Sequence, residues 1–177
     1  MNSPDRYLAA WRYAAQMHAG QMVPGTELPY VVHVGGVALE LLTALAQGSP
    51  VDDPGLAVQC ALLHDVLEDT PATYGDVAER FGRAVADGVL ALTKDATLPS
   101  KAAQMADSLA RIRQQPREVW LVKLADRIVN LQPPPHHWNQ AKIAVYRAEA
   151  KTILDALGQA DGWLAARLQR KIEEYPG

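Results

Sequence analysis

The sequence has a single cysteine, Cys60, little net charge and no long apolar run. One thiol excludes an internal disulfide and a zinc site built from several thiolates. The formal net charge of −3 is small and has the wrong sign for a protein whose main partner is a nucleic acid. No apolar stretch approaches the roughly 20 residues that cross a bilayer, and the N-terminus lacks the basic and apolar regions of a signal peptide. These absences favour a soluble cytoplasmic protein without membrane or nucleic-acid partners, and they leave any oligomeric partner unknown.

Apolar residues recur at the helical spacing along nearly the whole chain, with glycine and proline between the segments. Ser3 can cap the first segment, which Gly20 ends, and Pro133-Pro134-Pro135 is too short to link two domains. We expect further helices at about 34–46, 54–67, 74–81, 83–92, 101–114, 117–131, 139–157 and 161–175. Since there is no repeat and no alternating strand pattern, the 177 residues predict an all-α fold with one domain, 1–177.

The most informative segment is Leu62–Thr70, which places two potential metal ligands, His64 and Asp65, at the end of an apolar run. Glu68 and Asp69 follow one helical turn later. Because residues four apart on a helix lie one above the other, we expect Glu68 over His64 and, likewise, the second acid over Asp65. Four polar groups beside an apolar run cost stability unless something compensates them, and a metal ion does so. An ion held by the first pair would lie within reach of acids that orient and deprotonate a water.

Further ligands must come from other elements, because one helix face rarely fills a coordination sphere. His33 begins a helix, from which its side chain can reach a neighbouring element. Asp126 is an isolated acid in the otherwise apolar helix 119–132. Two imidazoles and two carboxylates suit manganese, iron or zinc, and the lack of thiolate favours manganese. A bound ion makes a water a strong nucleophile near neutral pH.

The order His33, His64-Asp65, Asp126 resembles the signature of HD-domain metal phosphohydrolases. The longer form His-Asp-x-x-Glu-Asp at 64–69, with Lys-Leu-Ala-Asp-Arg-x-x-Asn-Leu at 123–131, is similar to the hydrolase domain of Rel/SpoT alarmone enzymes. Further matches are His18-x-Gly20-Gln21, Pro29-Tyr30-x-x-His33, Phe81-Gly82 and Thr97-Leu98-Pro99. The resemblance runs from about Tyr7 to about Leu157, without room for the synthetase and regulatory domains of the long enzymes. The chain therefore resembles the stand-alone small alarmone hydrolases.

This resemblance implies a helical bundle with a buried metal site that acts on a small-molecule nucleotide. The implied reaction removes the 3′-pyrophosphate from guanosine tetra- and pentaphosphate with a single manganese ion. The implied ligands are His33, His64, Asp65 and Asp126. The implied catalytic pair is Glu68 and Asp69, which would position and activate the attacking water and then assist the leaving oxygen.

Candidate substrate-binding residues come partly from the resemblance and partly from charge. Asn130 would hold the ribose or a phosphate, and Lys142 and Tyr146 match positions that contact substrate in animal relatives. Lys94 and Lys101 lie near segments expected to line the site, where they would either neutralise phosphate or serve the structure. Together these five residues form the predicted substrate site.

Other conspicuous residues have structural interpretations. Lys123 would either bind phosphate or pair with Asp126, and Arg127 is expected to face outward or to brace an acid. For His18 we expect structural hydrogen bonding, and for His136-His137 an exposed pair. The tryptophans are expected to anchor the core or an interface: Trp11, Trp120, Trp138 and Trp163.

The sequence departs from the family between Gln21 and Tyr30. Family members commonly carry an Arg-Lys pair there, and its arginine stacks on the base, whereas Met22–Pro29 contains no basic residue. An adenosine alarmone therefore fits as well as a guanosine alarmone. Two alternatives also remain open: a phosphatase acting on NADPH or nucleoside monophosphates, and a catalytically inactive alarmone sensor.

Overall fold

The computed structural model describes residues 4–176, so Ser3, the predicted cap of the first helix, lies outside the described residues. Within this range the chain forms ten α-helices. They are α1 (Pro4–Met17), α2 (Val31–Ala46), α3 (Pro54–Leu63), α4 (Val66–Asp69), α5 (Tyr74–Phe81), α6 (Arg83–Leu92), α7 (Lys101–Ile112), α8 (Arg117–Asn130), α9 (Gln140–Leu157) and α10 (Gly162–Glu174), with a 3-10 turn at Gly158–Ala160. The β pairing in the described range is one isolated bridge between Met22 and Pro29. The predicted all-α fold is confirmed.

The third predicted helix is wrong in one respect, because it breaks at His64 and Asp65. The imidazole of His64 contacts the carbonyl of Ala61 at 2.8 Å, and this carbonyl is the acceptor that residue 65 would use in a continuous helix. Asp65 has φ −103° and ψ −1°, and its own carbonyl accepts the N–H groups of Glu68 and Asp69. The two acids therefore belong to a separate short helix, α4, and not to the next turn of α3.

Helix α3 is the centre of the bundle, with every residue from Gly55 to Leu63 buried. It packs against α1, α2, α6 and α8. Asp53 caps its start, and Pro54 occupies the first helical position. Glu118, in the first turn of α8, accepts the N–H groups of Asp52 and Asp53. Helices α3 and α8 therefore begin at the same end and run side by side, which brings their C-terminal halves together.

The tryptophans border the core in different ways. Trp120 and Trp163 are partly buried against it, as predicted. Trp11 is more exposed and lies over Gly35, where an added Cβ would clash with the indole ring. None of the helices described above combines the length and apolar character that a transmembrane span requires.

Replacement of Gly88 by alanine is expected to destabilise the fold. The added Cβ would lie 2.8 Å from Sγ of buried Cys60 and 3.0 Å from Val119. Overpacking costs about 1–3 kcal/mol, which exceeds the roughly 1 kcal/mol that alanine contributes to a helix. We expect a net loss of about 1 kcal/mol in chemical denaturation. Gly162→Ala is the control, because no atom lies within 4 Å of its Cβ position; an equal loss there would contradict the packing argument.

Candidate active site

The structure brings the four predicted metal ligands together. His33 comes from the first turn of α2, His64 and Asp65 from the break after α3, and Asp126 from α8. The Nε2 atoms of the two histidines lie 3.2 Å apart, and Oδ1 of Asp126 lies 3.5 and 3.8 Å from them. Oδ2 of Asp65 is 2.9 Å from Nε2 of His64 and 3.6 Å from Nε2 of His33. Both histidines and Asp126 are buried.

The contacts of His64 show that this cluster fits a divalent cation. Its Nδ1 faces the carbonyl of Ala61, which can only accept, so this nitrogen carries the hydrogen. In the neutral ring, Nε2 then presents a lone pair to the carboxylate of Asp65 and to the imidazole of His33. Electron-rich atoms this close repel each other unless positive charge lies among them. Imidazole nitrogens and carboxylate oxygens 2.9 to 3.8 Å apart are a donor set that divalent transition metals accept.

The titration behaviour of the cluster shows the same attraction for positive charge. Burial lowers the pKa of His33, but the hydrogen bonds and charges of Asp126 and Asp65 outweigh burial and raise it to about 9. Burial also lowers the pKa of His64, and the charge and hydrogen bond of Asp65 outweigh it, so that the net shift is upward. For Asp126, burial raises the pKa, while Lys123 and the two imidazoles hold it well below its usual range. A divalent ion competes with protons for such a site.

Three further side chains hold the carboxylates in place. The hydroxyl of Tyr30 donates to Oδ2 of Asp65 at 2.5 Å, and burial, followed by the charge of Asp65, raises the Tyr30 pKa far enough to keep the phenol protonated. Lys123 donates to Oδ2 of Asp126 at 3.1 Å, and Asn130 donates to its Oδ1 at 2.5 Å. Of the two roles predicted for Lys123, the structure shows the pairing with Asp126. The role of Tyr30 was not predicted from the sequence; its position three residues before His33 was the available signal.

A cavity of about 760 Å³ opens beside Asp126. Its lining includes all five predicted substrate-binding residues: Lys94, Lys101, Asn130, Lys142 and Tyr146. Lys123 and Arg127 also line it, so that five cationic side chains share its walls with the carboxylates of Glu68, Asp126 and Glu149. A cavity with this many cations suits a polyanionic ligand.

The predicted catalytic acids point to different neighbours. Glu68 lines the cavity, where its carboxylate accepts from Nζ of Lys94 at 2.8 Å and from the Lys94 backbone N–H at 3.0 Å. Burial lowers the pKa of Lys94, but the charge and hydrogen bond of Glu68 raise it by more than burial lowers it. The net shift is upward, so the ammonium stays charged. Asp69 is exposed, and its Oδ2 accepts from Nε2 of Gln21 at 3.1 Å. Asp69 does not contribute to the lining of the cavity as formed by residues 4–176.

The profile of the HD domain matches residues 10–164. The chain belongs to the HD domain family. This HD domain is 32% identical over 174 residues to the guanosine-3′,5′-bis(diphosphate) 3′-pyrophosphohydrolase MESH1 of Drosophila melanogaster, covering 96% of this chain and 92% of the relative. The human protein of the same name is 32% identical over 175 residues, covering 94% and 93%. A solved structure described as a metazoan ortholog of SpoT that hydrolyzes ppGpp matches with a TM-score of 0.85 at 28% identity, covering 98% and 97% of the two chains. The family resemblance predicted from the motifs is confirmed.

One wall of the cavity in this HD domain is a stack of aromatic and cationic side chains. Nζ of Lys142 lies 4.1 Å from the ring centroid of Trp138, whose ring packs edge-on against Tyr146 at 5.2 Å. The guanidinium of Arg127 lies over the Tyr146 ring, 4.5 Å from its centroid. Arg127 is only 5% exposed and pairs with Glu149 at 3.6 Å, so it braces an acid and does not face outward. Trp138 is partly buried against the core, as predicted, and it also lines the cavity.

The loop that departs from the family pattern closes through the bridge between Met22 and Pro29. Gly25 has φ +77° and lies beside Pro135, so the loop rests against the proline segment. Met22 and Leu28 are about half exposed. Because the loop contains no lysine or arginine, it contributes no positive charge to the site. The neighbouring pair His136-His137 is exposed, as predicted.

Proposed function

We propose that this HD domain is a metal-dependent hydrolase that removes the 3′-pyrophosphate of a guanosine or adenosine alarmone. The observation that carries the proposal is the buried group of His33, His64 and Asp126, with the partly buried Asp65 beside it, at the edge of a cavity lined by five cations. A 3′-pyrophosphorylated nucleotide has the negative charge that such a cavity attracts. The names of the MESH1 relatives, which describe the same reaction on a guanosine nucleotide, support it.

In this proposal, His33, His64, Asp65 and Asp126 hold the divalent ion. The ion supplies Lewis acidity and makes a water more acidic. We propose manganese, because the donor set combines nitrogen and oxygen without thiolate. Tyr30, Lys123 and Asn130 keep the carboxylates oriented through the contacts described above.

Glu68 lies in the cavity and takes the proton of the attacking water. The new oxygen–phosphorus bond forms at the proximal phosphorus, and the bond from that phosphorus to the 3′ oxygen breaks. The 3′ oxygen leaves with a proton, so the products are a nucleotide and pyrophosphate. Asp69, the next residue, orients the water and assists the leaving oxygen. Lys94, Lys101 and Lys142 neutralise phosphate charge, and Asn130 and Tyr146 contact the nucleoside.

The assignment of residues 1–177 to one phosphohydrolase domain belongs to the same proposal. The cytoplasmic location and the absence of a nucleic-acid partner remain predictions from the sequence.

The test is a substrate panel on purified protein with Mn²⁺: guanosine and adenosine tetraphosphates, NADPH and a nucleoside monophosphate. We expect pyrophosphate and a nucleoside diphosphate from at least one tetraphosphate, identified by anion-exchange chromatography. Release of orthophosphate from NADPH alone would favour the phosphatase. Tight binding of a tetraphosphate without any product would favour the inactive sensor.

Lys94→Met and Lys101→Met are expected to distinguish a lysine that holds a catalytic carboxylate from a lysine that only binds substrate. Lys94 holds Glu68, whereas Lys101 has no carboxylate partner within residues 4–176. Loss of the Lys94 ammonium leaves Glu68 with the backbone N–H alone, so we expect kcat to fall about tenfold. Lys101→Met should raise KM with little change in kcat, because it removes binding that is equal in ground and transition states. A pure KM effect in both variants would show that Lys94 only binds substrate.

A further inference from the structure

The side chains of His18, Gln21 and Asp69 form a chain of hydrogen bonds behind the active site. Nδ1 of His18 lies 2.7 Å from Oε1 of Gln21, and Nε2 of Gln21 lies 3.1 Å from Oδ2 of Asp69. His18 is only 4% exposed, whereas Asp69 is exposed at the end of a four-residue helix. A buried, rigid group is thus linked through one amide to an exposed carboxylate.

We propose that His18 and Gln21 are positioning residues that hold the carboxylate of Asp69 for the hydrolysis. The inference rests on the proposed function, in which Asp69 orients the water and assists the leaving oxygen. Neither His18 nor Gln21 touches the reacting atoms, and both act through Asp69.

The chemistry of the three groups allows one direction only. The carboxylate of Asp69 accepts, so the NH₂ end of the Gln21 amide faces it. The carbonyl end then faces His18, so Nδ1 of this imidazole carries the hydrogen. Nε2 of His18 is buried without a hydrogen-bond partner among the described residues, so the contact with Gln21 is the one that orients the ring's polar edge. The burial of His18 thereby limits the rotation of the amide and, through it, the rotation of Asp69.

The loop that follows Gln21 is held by backbone hydrogen bonds and does not depend on the Gln21 side chain. The backbone N–H of Gln21 already donates to the carbonyl of His18 at 3.0 Å. The backbone carbonyl of Gln21 accepts from the N–H of Tyr30 at 2.9 Å. These two bonds anchor both ends of the loop and survive any change of the side chain. The side-chain amide is therefore free to serve Asp69.

The same imidazole also supports the metal side of the site. The rings of His18 and Tyr30 lie 4.8 Å apart, and the hydroxyl of Tyr30 donates to Asp65. The ring of His18 thus supports Asp65 by packing against Tyr30, and its Nδ1 supports Asp69 by hydrogen bonding to Gln21. A test must therefore remove the hydrogen bond between His18 and Gln21 and keep the packing of the ring against Tyr30.

His18→Phe does this, because phenylalanine keeps a ring against Tyr30 and removes the Nδ1 donor. Gln21→Glu replaces the donor that faces Asp69 with an oxygen that repels it. For both variants we expect kcat to fall about 10- to 100-fold, with KM, Mn²⁺ affinity by calorimetry and thermal midpoint close to those of the parent. His18→Asn restores a donor at the position of Nδ1 but has no ring against Tyr30, so it should recover only part of the kcat lost in His18→Phe.

Gln169→Glu is the matched control, because Gln169 also donates to a carboxylate, that of Glu173 at 2.7 Å, on the remote helix α10. It should retain the parent kcat. Parental kcat in Gln21→Glu, or a loss of kcat that follows only the thermal midpoint, would overturn the proposal. A crystal structure of His18→Phe tests it without any substrate: we expect a displaced or disordered Asp69 carboxylate, and an unchanged one would overturn positioning. If the parent protein cleaves nothing in the panel, the proposed function fails while this structural test still stands.

Discussion

Asp126→Asn is expected to abolish both metal retention and turnover. Oδ1 of Asp126 is the carboxylate oxygen that α8 places beside the two imidazoles, at 3.5 and 3.8 Å. An amide has the same shape but lacks the charge that a divalent ion requires. We expect Mn²⁺ affinity, measured by calorimetry, to fall more than about 100-fold, beyond the range for residues that only orient a ligand. Turnover should fall at least about 1,000-fold, because the water is no longer made acidic.

This variant has a second consequence that needs a control. Lys123 is buried and pairs with Asp126, so the asparagine leaves an uncompensated ammonium, which costs about 3–5 kcal/mol. The double variant Lys123→Met with Asp126→Asn removes both charges and should recover most of this stability. It should still bind no Mn²⁺ and show no turnover. Parental metal affinity in the double variant would remove Asp126 from the ligand set, whatever the stability of the single variant.

Glu68→Gln combined with Asp69→Asn is expected to keep metal and substrate binding but to lose the chemistry. Neither amide can take a proton from water, and general acid–base catalysis contributes about 10²–10⁴-fold. The amide oxygen that replaces one oxygen of the Glu68 carboxylate can still accept from Nζ of Lys94, which keeps one of the two contacts between these residues. We expect kcat to fall at least about 100-fold while Mn²⁺ affinity and the Kd for a tetraphosphate stay within about twofold.

The structure also ranks the two single variants. Because Glu68 lines the cavity and Asp69 does not, Glu68→Gln should cost more kcat than Asp69→Asn. Exposed Glu79, outside the cavity, provides a control for the loss of one surface charge through Glu79→Gln. Normal turnover in the double variant would show that another group takes the proton.

The break at His64 and Asp65 shows where local patterns stop being informative. The spacing of four that placed Glu68 above His64 assumes a continuous helix. The side chain of His64 instead competes for the Ala61 carbonyl, and the carbonyl of Asp65 starts a new turn. A hydrogen bond from a side chain to the backbone does not alter the spacing of apolar residues along the sequence. The sequence therefore could not show that the two acids would face different neighbours.

The contacts that hold the carboxylates of the site in place could not be predicted from the sequence for a related reason. Tyr30 is aligned with Asp65 only when α2 packs against α3, and Lys94 meets Glu68 across 26 residues of sequence. Gln21 meets Asp69 across 48 residues. Such contacts depend on helix packing, which a single sequence does not encode as a local pattern.

The sequence by itself determined the helical class and the family, and it predicted His33, His64, Asp65 and Asp126 as one set of metal ligands. Their chemistry is strong enough to be recognised from residue type and order, because buried imidazoles and carboxylates in apolar helices need a cation. Only the tertiary structure decided which lysine holds Glu68, which amide holds Asp69, and that Trp138 faces the cavity. Those outcomes follow from how helices pack side by side and where α3 breaks, and the geometry of packing is a property of the assembled core and not of any one segment.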